Sequence, residues 1–324
     1  MKTPPPIQRQ NDGWRYEELI GPQQAGQQLL SYLSQHYPHT SAQDWSERIA
    51  AGQVRLNGRT ASDQSLLVSG MQLSWQRPPW IEPEAPCYFA LIYEDAALLA
   101  VNKPAGLPTL PGAGFLQATL LHLVQQHTPD AVPLHRLGRW TSGLVLCAKT
   151  TDARRNLLRQ WSARQVGKRY RALISGTPGW QRLVIETPIG PVPHPLLGTI
   201  HAASPDGKPA LSEVSVLERR GDCSLCDVLI STGRPHQIRI HLASVGHPLL
   251  GDPLYGNGGL PLNNTNALPG DPGYLLHAAS LQFRHPDNDE TIELQAPPPQ
   301  QLVLPSDQTA VGADPSKRLA RTSS

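Results

Sequence analysis

Cysteine is scarce in this chain: four residues, Cys87, Cys147, Cys223 and Cys226, among 324. So few thiols over such a length do not make a disulfide framework, and they point to a reduced, cytoplasmic protein. Long apolar runs are missing too. The stretch 144–148 is among the longest, far below the ~20 residues of a membrane span. The opening MKTPPPIQRQND holds no apolar run of the signal-peptide kind, so a soluble chain is expected. Charge is thin as well, at 17% of residues against roughly 25% in ordinary soluble chains. With 28 basic and 26 acidic residues the net charge is only +2, which by itself gives no argument for a polyanionic partner; any basic surface must be local. Proline is what is in excess: 33 residues, near twice the usual ~5% share, which predicts many turns and loops.

A length of 324 residues at ~150 per domain suggests two domains. Residues 1–13 and 297–324 are rich in Pro, Gln, Ser and charge and read as disordered tails. The proline-rich stretch 77–87 cannot hold a helix or central strand and reads as a linker. Before it, residues 27–36 and 42–51 have helical spacing of Leu29, Leu30 and Leu33 and of Trp45 and Ile49, with Gly52 as a stop. Residues 54–59 alternate with period two around Asn57-Gly58, a hairpin signal, and 66–75 resume strand character. An ααβ module over 14–76 is the expectation.

After the linker, 88–93 and 98–102 flank Glu94-Asp95 as a hairpin, 119–127 suit a short helix, and 144–148 a buried strand. Ala153, Leu157, Leu158 and Trp161 mark one helix face, 169–175, 214–217 and 225–230 read as strands, and Pro235 opens a helix stopped by Gly246. Helices and strands do not alternate strictly, so the class is α+β, with a mixed, largely antiparallel sheet over 88–296 and a small α/β module in front.

Several motifs dissolve on inspection. Cys223-Ser-Leu-Cys226 has half of a zinc spacing but no second half. Pro111-Gly-Ala-Gly114 lacks both the third glycine of a dinucleotide fingerprint and the Lys-Ser/Thr of a phosphate loop. Three other segments cluster cations with aromatics or a turn: 135–143, 168–171 and 232–241. Each has a structural explanation, since Arg pairs with carboxylates and an aromatic suits a half-exposed edge. Together they hold what a nucleic-acid site uses, cations for phosphate and a Tyr that stacks on a base.

In this order the segments resemble the RluA-type family of RNA pseudouridine synthases, over residues 88–297. Asn102-Lys103-Pro104-Ala105-Gly106 matches N-K-P-x-G, 135–143 match H-R-L-D-x-x-T-S-G, 168–172 match K-x-Y-x-A, and 232–241 match T-G-R-x-H-Q-I-R-x-H; Gly251-Asp252-Pro253-Leu254-Tyr255 and Leu276-His277-Ala278 follow. Residues 49–58 resemble, less closely, the S-four-like RNA-binding module that often precedes this domain. The resemblance implies an isomerase that turns a uridine out of structured ribosomal or transfer RNA and rejoins its base through carbon, with no cofactor, metal, membrane or obligatory protein partner. It gives Arg136 the vacated space, Tyr170 the stack on the base, and Arg239 the ion pair with the catalytic carboxylate. It also makes His135, Thr141, Lys103 and Arg234, with Arg55 and Asn57 of the module, RNA contacts.

At the family's catalytic Asp position this chain has Gly138, which offers neither nucleophile nor base. An Arg239 left without its partner is costly when buried. Another carboxylate could enter, with Asp130, Asp152 and Asp252 the candidates, Asp152 also reading as a helix N-cap and Asp252 as a structural residue. Alternatively the protein binds RNA without this chemistry, or phosphate or water fills the space.

Overall fold

The computed structural model describes residues 5–263 and 266–308. The chain divides into two units, Gln8–Pro83 and Glu84 onward with Ile7. In the first, β1 (Trp14–Leu19), α1 (Leu29–His36), α2 (Ala42–Ala50), β2 (Val54–Leu56), β3 (Arg59–Thr60) and β4 (Gln72–Arg77) build a sheet of order β1-β4-β2-β3 under two helices. Ser41 and Asp44 form a reciprocal cap at the start of α2, satisfying amides that a helix end leaves unpaired. Asn57 and Gly58 both have positive φ, 49° and 75°, as the tight turn between β2 and β3 requires. The module is thus more than ααβ. Strand β1 went unread because WRYEEL is polar and exposed along nearly its whole length; its place is set by backbone pairing to β4 and by Glu18, which accepts hydrogen bonds from Tyr32 and Tyr37.

The second unit runs β5 (Ala90–Glu94), β6 (Leu98–Lys103), α3 (Leu120–His127), β7 (Val132–Pro133), β8 (Ser142–Ala148), α4 (Thr151–Ser162), β9 (Gly167–Ser175), β10 (Arg182–Ile185), β11 (Ile189–His194), β12 (Gly198–Ala203), β13 (Ser212–Arg220), β14 (Cys223–Ile230), α5 (Gln237–Ser244), β15 (Leu276–Arg284), β16 (Thr291–Gln295) and α6 (Pro305–Gln308). Its main sheet has the order β10-β13-β14-β9-β15-β8-β6-β5, with β16 against β15 and β7 against β8. Among the described residues its pairings are antiparallel except β8 with β15. The apolar runs of β6 and β8 are continuous because both faces are covered. Leu98, Ala100, Leu144 and Leu146 pack with Ala153 and Leu157 of α4, while Leu99, Val101, Val145 and Cys147 pack with Leu120 and Val124 of α3; burying one such leucine contributes roughly 1.5–3 kcal/mol.

Several expectations need correction. Helix α5 starts at Gln237, not at Pro235, because His236 before it takes a left-handed conformation with φ 55°. Asp152 does not cap α4; the Thr150 hydroxyl accepts from the Ala153 amide. Residues 297–308 are not a loose tail. Leu302 is fully buried against Leu173 and Leu225, Arg220 donates to the Gln301 and Val303 carbonyls, each at 2.7 Å, and Arg171 pairs with Asp307. Residues 5–13 and 77–87 likewise pair with each other, Ile7 with Ala85 and buried Asn11 with buried Glu82 at 2.9 Å. One buried side chain and a few held carbonyls outweigh a composition that points to disorder. Residues 1–4 and 309–324 of the expected tails lie outside the described residues.

Candidate active site

The segment between β7 and β8 is fixed from several sides. Lys103, at the end of β6, is fully buried and its Nζ donates to the carbonyls of Pro104, Leu107 and Arg139 at 3.0, 2.7 and 3.1 Å. Burial, reinforced by the charge of Arg139, pushes the amine down to about 7. Arg139 Nε donates to the Gly106 carbonyl at 3.0 Å, the Thr109 hydroxyl to that of Leu137 at 3.0 Å, and the Trp140 indole to that of Gly270 at 2.8 Å. Gly143, with φ 111°, lies so close to Ala278 that a Cβ there would fall inside the Ala278 backbone, so only glycine lets β8 and β15 meet.

Beside this segment opens a hollow of about 470 Å³ lined by His135, Arg136, Trp161, Lys168, Tyr170, Thr232 and Arg234 among others. Tyr170 comes from β9 and its phenol is pushed up to about 12 by burial, so the ring is a neutral stacking surface. The His135 ring stacks on Trp161 at 5.2 Å, and its Nε2 accepts from the Leu146 amide at 3.1 Å, leaving its proton on Nδ1. Burial and then the charge of Lys168 push it down to about 4, so it is neutral near pH 7. Arg234 is held by Nε donating to the Pro209 carbonyl at 3.0 Å, and Thr232 by donating to Gln237 Oε1 at 2.7 Å. Four of the lining side chains, Arg136, Arg164, Lys168 and Arg234, are cations and none is a carboxylate. A larger hollow of about 640 Å³, beside residues 192–195 and 260–263, contains none of the motif residues.

Arg239 does not line the hollow that Arg136 and Tyr170 share. It lies buried at the start of α5, and it has a partner: Nε and Nη2 donate to the two oxygens of Asp252, each at 2.7 Å, with the side chains 3% and 1% exposed. Nη1 donates to the Pro269 carbonyl at 3.0 Å, and the guanidinium lies over the Tyr255 ring at 4.9 Å and over the Tyr274 ring at 4.3 Å. Burial works against the charge, but the bonds to Asp252 outweigh it and hold the group above its ordinary value. Asp252 is also saturated, Oδ1 accepting from the Leu254 and Tyr255 amides at 2.9 and 3.1 Å, which makes it a structural anchor of the turn. Neighbouring His236 is pushed down to about 3 by burial, then by the charge of Arg239, with Arg136 acting in the same direction.

Asp252 is therefore the carboxylate that meets Arg239; Asp130 is exposed, and Asp152 is exposed and bonded to Arg155 at 2.8 Å. Gly138 is exposed, and a Cβ built on it would lie 3.3 Å from the Tyr274 hydroxyl and 3.4 Å from that of Thr141. Two expected RNA contacts are corrected here. The Lys103 amine is wholly used within the fold, and Thr141 is buried, 5% exposed, its amide donating to the Gly138 carbonyl at 3.0 Å. In the smaller unit Arg55 is exposed, but the Asn57 side chain belongs to the turn, Oδ1 accepting from the Gln72 amide at 2.8 Å. Trp161 and Tyr274 were not among the expected site residues. Trp161 reads in the sequence only as helix face, and nothing marks Tyr274 beyond its place just before Leu276-His277-Ala278. Cys223 and Cys226, three apart on β14, belong to different packing clusters and carry no disulfide.

A mixed sheet carrying these motifs at the rim of a cationic hollow defines a class, and comparison with known proteins agrees with it. A family model described as RNA pseudouridylate synthase matches residues 97–244. The chain belongs to the RluA-type family of RNA pseudouridine synthases. An uncharacterised RNA pseudouridine synthase of Synechocystis is 44% identical over 283 residues, 87% of this chain and 97% of that protein. RNA pseudouridine synthase 5 of Arabidopsis thaliana is 37% identical, the match covering 92% of this chain and 98% of that one. Among solved structures, human RNA pseudouridylate synthase domain containing 1 superposes with a TM-score of 0.53 at 26% identity, covering 71% of this chain and 96% of that one.

Proposed function

We propose that the hollow receives a uridine everted from structured RNA, ribosomal or transfer, and that the chain isomerises it to pseudouridine. The observation that carries this reading is the hollow itself, where Tyr170 and Arg136 share one wall system with Lys168, Thr232 and Arg234. Everting a base costs a few kcal/mol and needs a surface to stack on and cations for the flanking phosphates. Tyr170 is the stack, Arg136 enters the space the base leaves, and Arg234 and Lys168 hold phosphate. Cations in a partly enclosed hollow also favour negative charge that develops on a departing uracil. Arg239, buried and paired with Asp252 outside the hollow's lining, anchors its own turn rather than touching RNA, and His135 offers Nδ1–H to the nucleotide. The Gln8–Pro83 unit adds a docking surface through Arg55 and Arg59, both exposed at the β2–β3 turn. A site of action in the cytoplasm suits four unbridged thiols.

The test is incubation of the purified chain with ribosomal and transfer RNA transcripts carrying 5-tritiated uridine. Each isomerisation releases the C5 hydrogen, so tritium in water and pseudouridine at a mapped position are expected. A second reading, RNA binding without turnover, is favoured by Gly138 and by the saturation of Asp252. Salt-sensitive RNA binding with no tritium released from either RNA class establishes that reading and ends the first.

A further inference from the structure

Position 138 and Tyr274 compete for one space. A Cβ on Gly138 would sit 3.3 Å from Tyr274 Oη, tighter than most real contacts, so a carboxylate carried there would run into the hydroxyl as it now lies. Tyr274 is 5% exposed and its ring lies 4.3 Å from the Arg239 guanidinium; neither it nor Gly138 lines the hollow, but Oη lies 3.3 Å from where a Gly138 Cβ would sit, two residues along the chain from Arg136, which does. Arg239, the usual partner of a catalytic carboxylate, thus faces the ring of a residue whose hydroxyl fills the carboxylate's place.

Resting on the synthase reading, we propose that Tyr274 is the proton-transfer residue of this site and that Gly138 is small so that its hydroxyl can reach the nucleotide. The chemistry balances with one such group. As the C1′–N1 bond breaks, N1 keeps the electron pair and takes the Tyr274 proton, leaving a phenolate beside Arg239. The base turns, its C5–C6 double bond supplies the pair that forms C5–C1′, and the resulting ring cation loses its C5 hydrogen to the phenolate. The C5–H pair restores the double bond and the phenol is regenerated, so no outside reagent is consumed. One fixed hydroxyl suffices because N1 before the turn and C5 after it occupy the same position on C1′.

The test compares wild type, Tyr274→Phe and Gly138→Ala in the tritium-release assay, with RNA dissociation constants measured in parallel. Tyr274→Phe keeps the ring against Arg239 and removes the proton; the expected result is a kcat lower by about 100–10,000-fold at unchanged affinity. Gly138→Ala, whose φ is not in the left-handed region, sets a methyl against Oη and is expected to cost up to about 100-fold by displacing it. An active wild type with Tyr274→Phe equally fast overturns the role of Tyr274 and leaves the synthase reading standing. A loss carried wholly by the dissociation constant overturns it too. A wild type that releases no tritium removes both readings. If Tyr274→Phe does not fold, Gly138→Ala decides: a wild-type rate overturns the proposal, and a slowed rate at unchanged affinity supports it.

Discussion

Replacing Asp252 by Asn keeps the shape of the turn and removes the charge that faces Arg239. Both side chains are almost fully buried, at 3% and 1% exposure, and two 2.7 Å bonds join them. An amide cannot accept from both Nε and Nη2, so one donor of a buried cation loses its acceptor and its charge goes unopposed. Breaking such a pair on one side costs about 3–5 kcal/mol, which for a domain of this size lowers the melting temperature by roughly 6–20 °C. The measurement is a urea titration at constant pH, reading the midpoint with the slope unchanged. The double variant Asp252→Asn/Arg239→Met is expected to recover part of the loss, since no unpaired charge then remains. A single variant within about 1 kcal/mol of wild type, or a double variant worse than the sum of the singles, refutes the reasoning.

Lys103→Met leaves the buried Leu107 carbonyl and two part-buried carbonyls without their donor and is expected to lower stability by ~1–3 kcal/mol while RNA affinity of the folded fraction holds; a fall in affinity without a fall in stability returns Lys103 to the RNA surface. Tyr170→Ala removes a stacking surface worth ~1–3 kcal/mol per base, so RNA affinity for substrate should fall by roughly 5–150-fold, read by fluorescence anisotropy. Lys168→Ala and Arg234→Ala should each reduce the slope of log affinity against log salt by about 0.7–0.9 if each neutralises one phosphate; an unchanged slope removes that role. His135 and His277 are both pushed down to about 4, mainly by burial. The unfolded chain then binds protons that the folded chain refuses between about pH 6.5 and 4. Stability is full above that window and falls as pH drops through it. His135→Gln should flatten this fall in urea midpoints measured from pH 7 to 4.

Much of the fold could be read directly where a local pattern had one physical cause. The 144–148 run became β8 because both faces are covered, Asn57-Gly58 made a hairpin through positive φ, and Ala153, Leu157 and Trp161 faced the sheet, whereas Leu158, read on the same face, is 40% exposed. Strands β11 and β12 were invisible for the opposite reason. Pro191 and Pro193 argue against a strand, but in a two-stranded ribbon alternate amides point away from the partner, and there proline costs nothing. The candidate site was legible in its motifs but not in its contacts: Arg136, Tyr170 and Arg234 share a hollow as adjacent motifs suggest, whereas Asp252 reaches Arg239 and Tyr274 reaches Gly138 only through tertiary packing. No period or spacing encodes a meeting between residues 138 and 274.

The parallel seam between β8 and β15 has a consequence for how the protein is made. Ser142 and His277 meet across it, bonded at 2.9 Å, 135 residues apart in the chain. At roughly 5–20 residues per second, a ribosome needs about 7–27 s to travel that stretch. Until it does, the loop holding Arg136 and Gly138 has lost one of its two walls, and non-local pairings of this kind form slowly even in a finished chain. A nascent or truncated polypeptide therefore carries the motifs of the first half without a finished hollow, so the growing chain cannot act on a uridine prematurely.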